Sequence, residues 1–196
     1  MQLSPTKQNF MNKSSIVIFI VILVFGCSHR LTSNKLRDYK SVDGVKIGMQ
    51  INSAIDLVKK KHYVEKTKVI VNEGENKEFE YIVYSDDTKK AVLFSFNEGY
   101  DKKTKGLVYR LAIKNAKYKT MDGVSVGMTV KELKEKTTIK SVDFNLDDGL
   151  FLLSDSFDGG YLMDLNTSIK YSGFDYTHPT IKSLPGELKI KEIIIF

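Results

Sequence analysis

Asp43-Gly44-Val45-Lys46-Ile47-Gly48-Met49 occurs twice in the chain, because Asp122-Gly123-Val124-Ser125-Val126-Gly127-Met128 follows it seventy-nine positions later. Five of the seven residues are identical, and Ile47 and Val126 are both β-branched and apolar. The clear difference is Lys46 in the first copy against Ser125 in the second. A fixed internal period indicates a repeated structural unit. We therefore predict two tandem repeats, at residues 42–120 and 121–196.

Each repeat continues with a helical pattern directly after the motif. In the first repeat, apolar residues recur at the spacing of one helical face, at Ile51, Ala54, Ile55 and Val58. In the second repeat, Thr129 and Glu132 have the spacing of a capping box, in which each residue accepts a backbone N–H of the other. We expect one helix at residues 51–61 and a second that ends near residue 136.

Four candidate strands follow each predicted helix, and polar turns separate them. In the first repeat, apolar residues such as Val69, Val71 and Tyr81 alternate with mostly polar neighbours. The predicted strands are residues 64–72, 79–85, 91–96 and 107–113 in the first repeat, and 139–146, 150–156, 161–165 and 188–196 in the second. Such alternation is typical of a sheet with one buried face. The predicted fold class is α+β, with two tandem repeats that each pack one helix on a four-stranded antiparallel sheet.

The N-terminal 26 residues have the features of an export signal. Residues 16–25 form an unbroken apolar run, with Lys13 before it and Gly26 after it. A spanning helix needs about 20 apolar residues, whereas a secretory signal needs a charged start, about 7–15 apolar residues and a small residue before the cut. We predict a signal peptide at residues 1–26. A chain that starts at Met11 would have a compact signal by itself. Residues 1–10 therefore either precede the true start or lengthen the charged region of the signal.

Val24-Phe25-Gly26-Cys27 resembles the lipobox of bacterial lipoproteins, although Phe25 stands where the pattern usually holds Ser, Ala, Thr or Val. The resemblance implies cleavage before Cys27 and acylation of this cysteine. Ser28 follows, and in similar lipoproteins a non-acidic residue there implies the outer membrane of diderm bacteria. The alternative is an ordinary signal with a chance cysteine, or an uncleaved anchor. We expect a lipidated tether at residues 27–41 and a location on the periplasmic face of the outer membrane.

The repeated motif, followed by a helix and strands, resembles three groups of exported proteins. These are the SmpA/OmlA (BamE-like) lipoproteins, the tandem-repeat proteins of the β-lactamase-inhibitor-protein architecture, and the RpoE-regulated lipoprotein family. The last of these resemblances rests on Gly44-Val45-Lys46-Ile47-Gly48 and on a late strand like residues 188–194. The resemblance implies a protein-binding or envelope-scaffold role, with no catalytic residue to transfer to this chain.

The composition argues against several classes of function. The formal net charge is +6, but the lysines are spread over many turns, without a basic stripe interleaved with aromatic residues. We therefore expect no nucleic-acid partner. The same mild charge fits weak attraction to anionic lipid headgroups. Cys27 is the single cysteine, so no intrachain disulfide and no cysteine-based metal site can form.

Candidate catalytic and metal-binding residues have structural explanations. Gly123 to Gly127 reads G-x-S-x-G, the motif that presents the nucleophile in α/β-hydrolases, here Ser125. The first repeat has Lys46 in the same glycine frame, so the glycines serve a shared turn. The three histidines, His29, His62 and His178, lack a second ligand at metal spacing. We expect no enzyme activity, no cofactor and no metal site.

Aromatic residues gather in a long polar segment, residues 166–186, before the last predicted strand. Long loops without structure of their own are often functional, and aromatic side chains are enriched in interfaces. The candidate binding residues are Tyr171, Phe174, Tyr176 and His178. The alternative is that these rings cover the open end of the sheet.

These observations predict a lipid-anchored envelope protein that acts as a non-catalytic protein-binding or envelope-assembly module. Its partners would be the membrane, through the lipid, and an envelope protein. The alternative is a small-ligand or cell-wall-binding periplasmic module that uses a groove between the two sheets. The oligomeric state does not follow from the sequence.

Overall fold

A computed structural model describes residues 34–36, 38–71, 76–145, 149–165 and 179–196. Its helices are α1 (Ile51–Lys59) and α2 (Val130–Lys136). The strands are β1 (Asn34–Lys35), β2 (Ser41–Val42), β3 (Val45–Lys46), β4 (Tyr63–Val71), β5 (Asn76–Tyr84), β6 (Val92–Glu98), β7 (Val108–Ile113), β8 (Tyr118–Lys119), β9 (Ile139–Asn145), β10 (Gly149–Ser154), β11 (Gly159–Met163) and β12 (Ile190–Ile195). Within the described ranges, neither helix has the length and apolar character that a membrane span requires.

Eight strands form one antiparallel sheet in the order β4-β5-β6-β7-β12-β11-β10-β9. The predicted fold class of two repeats, each with one helix on its own four-stranded sheet, is therefore wrong. β7 and β12 are hydrogen-bonded neighbours, with Ile113 opposite Ile193 and Leu111 opposite Ile195. An unpaired apolar edge strand exposes backbone hydrogen-bonding groups and apolar side chains together. Pairing the last strands of the two halves removes both edges and merges the sheets.

One face of this sheet carries the hydrophobic core. Paired residues of antiparallel strands share a face, so a single row runs through Tyr81, Phe96, Leu111 and Ile195. All four are buried, and they belong to one cluster with Val58 of α1 and Leu133 of α2, among others. Both helices thus contribute to the core on one side of the sheet. We call this side the helix side.

The repeated motif makes the same backbone contacts in both halves. Gly48 N–H donates to the Val108 carbonyl at 2.7 Å, and Gly127 N–H donates to the Ile190 carbonyl at 2.8 Å. Both glycines have a positive φ, +80° and +86°, which other residues rarely adopt. The motif is therefore hydrogen-bonded to the last strand of its half directly before the helix begins.

The two helices begin differently. α2 has the predicted capping box, in which Thr129 accepts the Glu132 N–H and Glu132 accepts the Thr129 N–H. This prediction is confirmed. α1 begins after Gln50, which makes no side-chain capping bond. Its first turn is held by the Ile51 N–H, which donates to the Gly106 carbonyl at 2.8 Å.

The described chain begins inside the segment predicted as a tether. Asn34 and Lys35 pair in parallel with Tyr118 and Lys119, which form β8. The next residue, Leu36, is 7% exposed and belongs to the hydrophobic core. Residues 34–36 of the predicted tether are thus part of the fold.

Candidate functional site

The sheet face opposite the core carries charged residues on its central strands. Register places Glu80 of β5 beside Asn97 of β6, and Asn97 beside Arg110 of β7. Glu78 also lies on this face, two positions from Glu80, because side chains alternate along a strand. The group is completed by Lys114, which follows β7, and Glu192 of β12. We call this set, together with Ser95, the polar face.

Small residues at the centre of the polar face leave room for long side chains above them. Ser95 is paired with Ala112, and they are 0% and 1% exposed. The Lys114 Nζ lies 2.7 Å from Glu80 Oε1, although β6 separates their strands. The lysine side chain therefore crosses β6 where Ser95 lies. Its Nζ also lies 3.9 Å from Glu192 Oε1, so one ammonium group serves carboxylates on both halves of the sheet.

The pKa values of the two glutamates of β5, Glu78 and Glu80, are shifted in opposite directions. Burial opposes the charge of Glu80, but the hydrogen bond and the positive charge of Lys114 outweigh it and lower the pKa of Glu80. Burial raises the pKa of Glu78, against the charge of Arg110 and a long hydrogen bond from Asn97 at 3.5 Å. Glu78 is 6% exposed and Asn97 is 4% exposed. The polar face therefore holds partly desolvated charges in fixed positions, as a surface that recognises charge does.

An aromatic pair, of which Tyr63 is exposed and Tyr84 is half-buried, lies at the edge of the same face. Tyr63 of β4 and Tyr84 of β5 are register partners, with ring centroids 6.1 Å apart. Lys89 Nζ lies 5.2 Å and 5.8 Å from the two ring centroids and 2.9 Å from Glu65 Oε2. The Tyr84 hydroxyl also donates to Glu65 at 3.2 Å. This cluster extends the polar face with aromatic surface.

Two tyrosines connect the halves of the molecule on the helix side. The Tyr118 hydroxyl donates to Asp43 Oδ2 at 2.5 Å, and the Tyr39 hydroxyl donates to Asp122 Oδ2 at 2.6 Å. Both tyrosines and both aspartates are seventy-nine positions apart, so the contacts are reciprocal. Burial and the aspartate hydrogen bonds raise the pKa of each phenol. Asp43 also lies 3.3 Å from His62 Nε2.

Sequence reasoning missed these tyrosines although a signal for them exists. The repeat extends backwards beyond Asp43, because Tyr39-Lys40 corresponds to Tyr118-Lys119. The predicted repeat boundaries at residues 42 and 121 excluded this dipeptide. A repeated tyrosine four positions before a repeated aspartate indicates a pair of equivalent contacts.

Most of the predicted site residues lie outside the described residues. These are Cys27 and the loop candidates Tyr171, Phe174, Tyr176 and His178. The predicted groove between two sheets does not occur in the described sheet, because β7 and β12 are directly paired. Ser125 is 6% exposed, inside the turn that both repeats share. Across the described ranges, no three or more His, Cys, Asp or Glu side chains are grouped to hold a metal ion.

Comparisons with known proteins support the fold. No protein-family model matches the chain. No curated protein matches it significantly. Among solved structures, the chain is similar to the crystal structure of the uncharacterized protein yfeY from Escherichia coli, with a TM-score of 0.56 and 15% identity. The match covers 84% of this chain and 99% of that chain. At this identity the likeness shows a shared fold and leaves the activity open.

Proposed function

We propose that this chain is a lipid-anchored protein of the bacterial envelope that binds another protein without catalysis. Support for the location comes from the signal-like residues 1–26 and the lipobox-like sequence that ends at Cys27. Support for a non-catalytic role comes from Ser125, which is buried and corresponds to Lys46 in the first repeat. The proposed cellular site is the periplasmic face of the outer membrane.

The observation that carries the binding proposal is the polar face. The opposite face of the sheet is used for the core, so this face is the broad surface that the sheet can offer to a partner. Lys114 is held between Glu80 and Glu192, and the positive charge of Arg110 acts on Glu78 across β6. Fixed charges of both signs select a partner of complementary pattern and disfavour others, because juxtaposed like charges cost several kcal/mol.

A photocrosslinking amino acid at Thr67 tests this proposal in intact envelopes. Thr67 is exposed and is the register partner of Glu80, so it borders the polar face. The matched position is Asn52, which is exposed on α1. We expect a discrete crosslinked protein from position 67 and none from position 52. Equal crosslinking from both positions, or none from position 67, would contradict the proposal.

Charge reversal tests whether the polar face is responsible. Lys114→Glu places a third carboxylate beside Glu80 and Glu192, and we expect it to abolish the crosslink from position 67. Lys134→Glu makes the same charge change at an exposed position of α2 and should leave the crosslink intact. The urea midpoint of each variant is measured alongside, so that unfolding is distinguished from lost binding. Recovery of cell-wall fragments or a small ligand instead of a protein would favour the alternative module.

A further inference from the structure

We infer that the helix side of the domain faces the membrane, docked on anionic lipid headgroups by lysines that surround β1. This inference rests on the proposed lipid anchor at Cys27. Asn34 is the seventh residue after Cys27. An extended chain spans at most about 3.5 Å per residue, so the acylated cysteine can lie no more than about 25 Å from Asn34. The surface around β1 is therefore held near the lipid.

The contacts of β1 and β8 place this surface on the helix side. Leu36, directly after β1, is part of the core cluster with residues of both helices. Tyr118 of β8 packs edge-on against Phe94, with centroids 6.0 Å apart and an interplanar angle of 84°. Phe94 lies on the core face of the sheet, because its register partners are Val83 and Ile113. The tether therefore joins the fold on the side opposite the polar face.

Lysines from both halves gather around this point. Lys119 is the register partner of Lys35 in β1, and Lys117 is exposed beside it. Lys40 and Lys46 are exposed, and the Lys40 carbonyl accepts the Ile47 N–H next to Lys46. We call Lys40, Lys46, Lys117 and Lys119 the β1 lysines.

The carboxylates in the same region are already engaged by the protein. Asp43 accepts the Tyr118 hydroxyl and Asp122 accepts the Tyr39 hydroxyl. Asp38 accepts the Lys40 backbone N–H and the Ser41 hydroxyl, both at 2.8 Å. The four β1 lysines therefore outnumber these three aspartates, each of which has one oxygen held by an internal donor. Basic groups next to a lipid anchor are attracted by anionic headgroups within a Debye length of about 8–10 Å.

This orientation leaves the polar face directed away from the membrane. A partner protein could then approach Glu80, Arg110 and Lys114 from the periplasm without displacing lipid. The reverse orientation would bury those charges against headgroups and lift the β1 lysines off the surface.

The first test measures binding of the unacylated mature chain, residues 27–196 with Cys27→Ser, to vesicles. Vesicles containing phosphatidylglycerol are compared with vesicles of phosphatidylcholine alone. The test variant is Lys40→Gln/Lys46→Gln/Lys117→Gln. The control variant, Lys102→Gln/Lys103→Gln/Lys105→Gln, removes the same charge from three exposed lysines of the β6–β7 loop. Each surface lysine contributes about fivefold to partitioning.

We expect the wild type to prefer phosphatidylglycerol, the test variant to lose up to about a hundredfold in binding, and the control to lose only a few-fold. Equal losses in the two variants, or no preference of the wild type for phosphatidylglycerol, would overturn the inference. Because no acyl chain is present, this result does not depend on whether Cys27 is processed.

The second test reads orientation in the acylated protein, where a newly introduced cysteine is the only free thiol. A fluorophore is attached at Lys117→Cys or at Thr67→Cys, and a quencher is carried by the lipid. We expect stronger quenching at position 117; equal or reversed quenching would reject the orientation. Acylated chain that fails to float with vesicles would instead reject the lipid anchor of the proposed function.

Discussion

Replacing Tyr118 by phenylalanine removes one hydroxyl from the contact that joins the two halves of the molecule. The ring is 0% exposed, and phenylalanine fills the same space, so no cavity forms. The lost hydrogen bond joins a phenol to a carboxylate at 2.5 Å. Hydrogen bonds to charged groups contribute about 1.5–3 kcal/mol to stability.

The solvent exposure of Asp43 determines how much free energy of unfolding is lost with this hydrogen bond. Its side chain is 27% exposed, so water can replace part of the missing bond, and His62 Nε2 remains 3.3 Å away. We therefore expect Tyr118→Phe to lower the free energy of unfolding by about 2 kcal/mol. For a domain of this size, that loss lowers Tm by about 4–8 °C.

Tyr39→Phe tests the reciprocal contact. Tyr39 is only half-buried and keeps its stacking on Phe157, with centroids 4.9 Å apart, so we expect a smaller loss of about 1 kcal/mol. The double variant should lose about the sum, since the two pairs share no hydrogen-bond partner. A larger loss would show that the contacts act cooperatively.

Urea unfolding, followed by circular dichroism and tyrosine fluorescence, measures these effects. The midpoint should shift while the slope stays constant, because the exposed surface on unfolding is unchanged. Tyr100→Phe is the control, since Tyr100 is 51% exposed. If Tyr118→Phe costs no more than Tyr100→Phe, the Tyr118–Asp43 hydrogen bond does not stabilise the fold and our reasoning fails.

Four further outcomes follow from the described contacts. Burial raises the pKa of Tyr161 to about 12, so its contribution to stability is complete below about pH 10 and is lost as the pH rises to 12. Tyr161→Phe should therefore flatten the alkaline fall in the free energy of unfolding, measured with urea, by up to about 1.4 kcal/mol per pH unit. Gly127→Ala should cost about 1–2 kcal/mol by urea unfolding, because φ is +86° with open space around the site, whereas Gly186→Ala, without a positive φ, should cost less than about 0.5 kcal/mol. Thr129→Ala removes the α2 cap and should cost about 1 kcal/mol in the same assay; no change would exclude the capping box as a source of stability. Lys114→Met should cost about 2 kcal/mol because the Glu80 carboxylate loses its partner at 2.7 Å, and adding Glu80→Met should recover most of it; no recovery would contradict this account.

The elements of the fold follow from local sequence patterns. An apolar stretch between polar turns predicted a strand at residues 107–113, and β7 is Val108–Ile113. The spacing of Thr129 and Glu132 predicted the start of α2, and the capping box is present. These features depend on residues within a few positions of one another, which a single sequence contains.

The merging of the two sheets could not be read from alternation alone. It depends on β7 and β12, whose pairing joins residues far apart in the chain. A signal does exist in their composition, because 111–113 and 193–195 are apolar without interruption and buried. Strands covered on both faces show such runs, whereas half-exposed strands alternate.

The polar face could not be predicted for the same reason, because it forms only when strands far apart in the chain pair. Glu80, Asn97 and Arg110 occupy alternating polar positions, which in each strand alone indicate a solvated surface. They become one row only through the register of β5, β6 and β7. Lys114 adds a contact across an intervening strand, which no spacing rule predicts.

Because β12 pairs with β7, the eight-stranded sheet can be completed only when residues 190–195 are available to fold. β7 can pair with β6 as soon as their hairpin forms, but its other edge has no partner until the chain reaches Ile190. A chain that crosses a membrane from its N-terminus would emerge with this apolar edge open while its partner strand is still behind. If the chain is exported as we propose, the unpaired edge of β7 is the place where another chain could pair with it before β12 arrives.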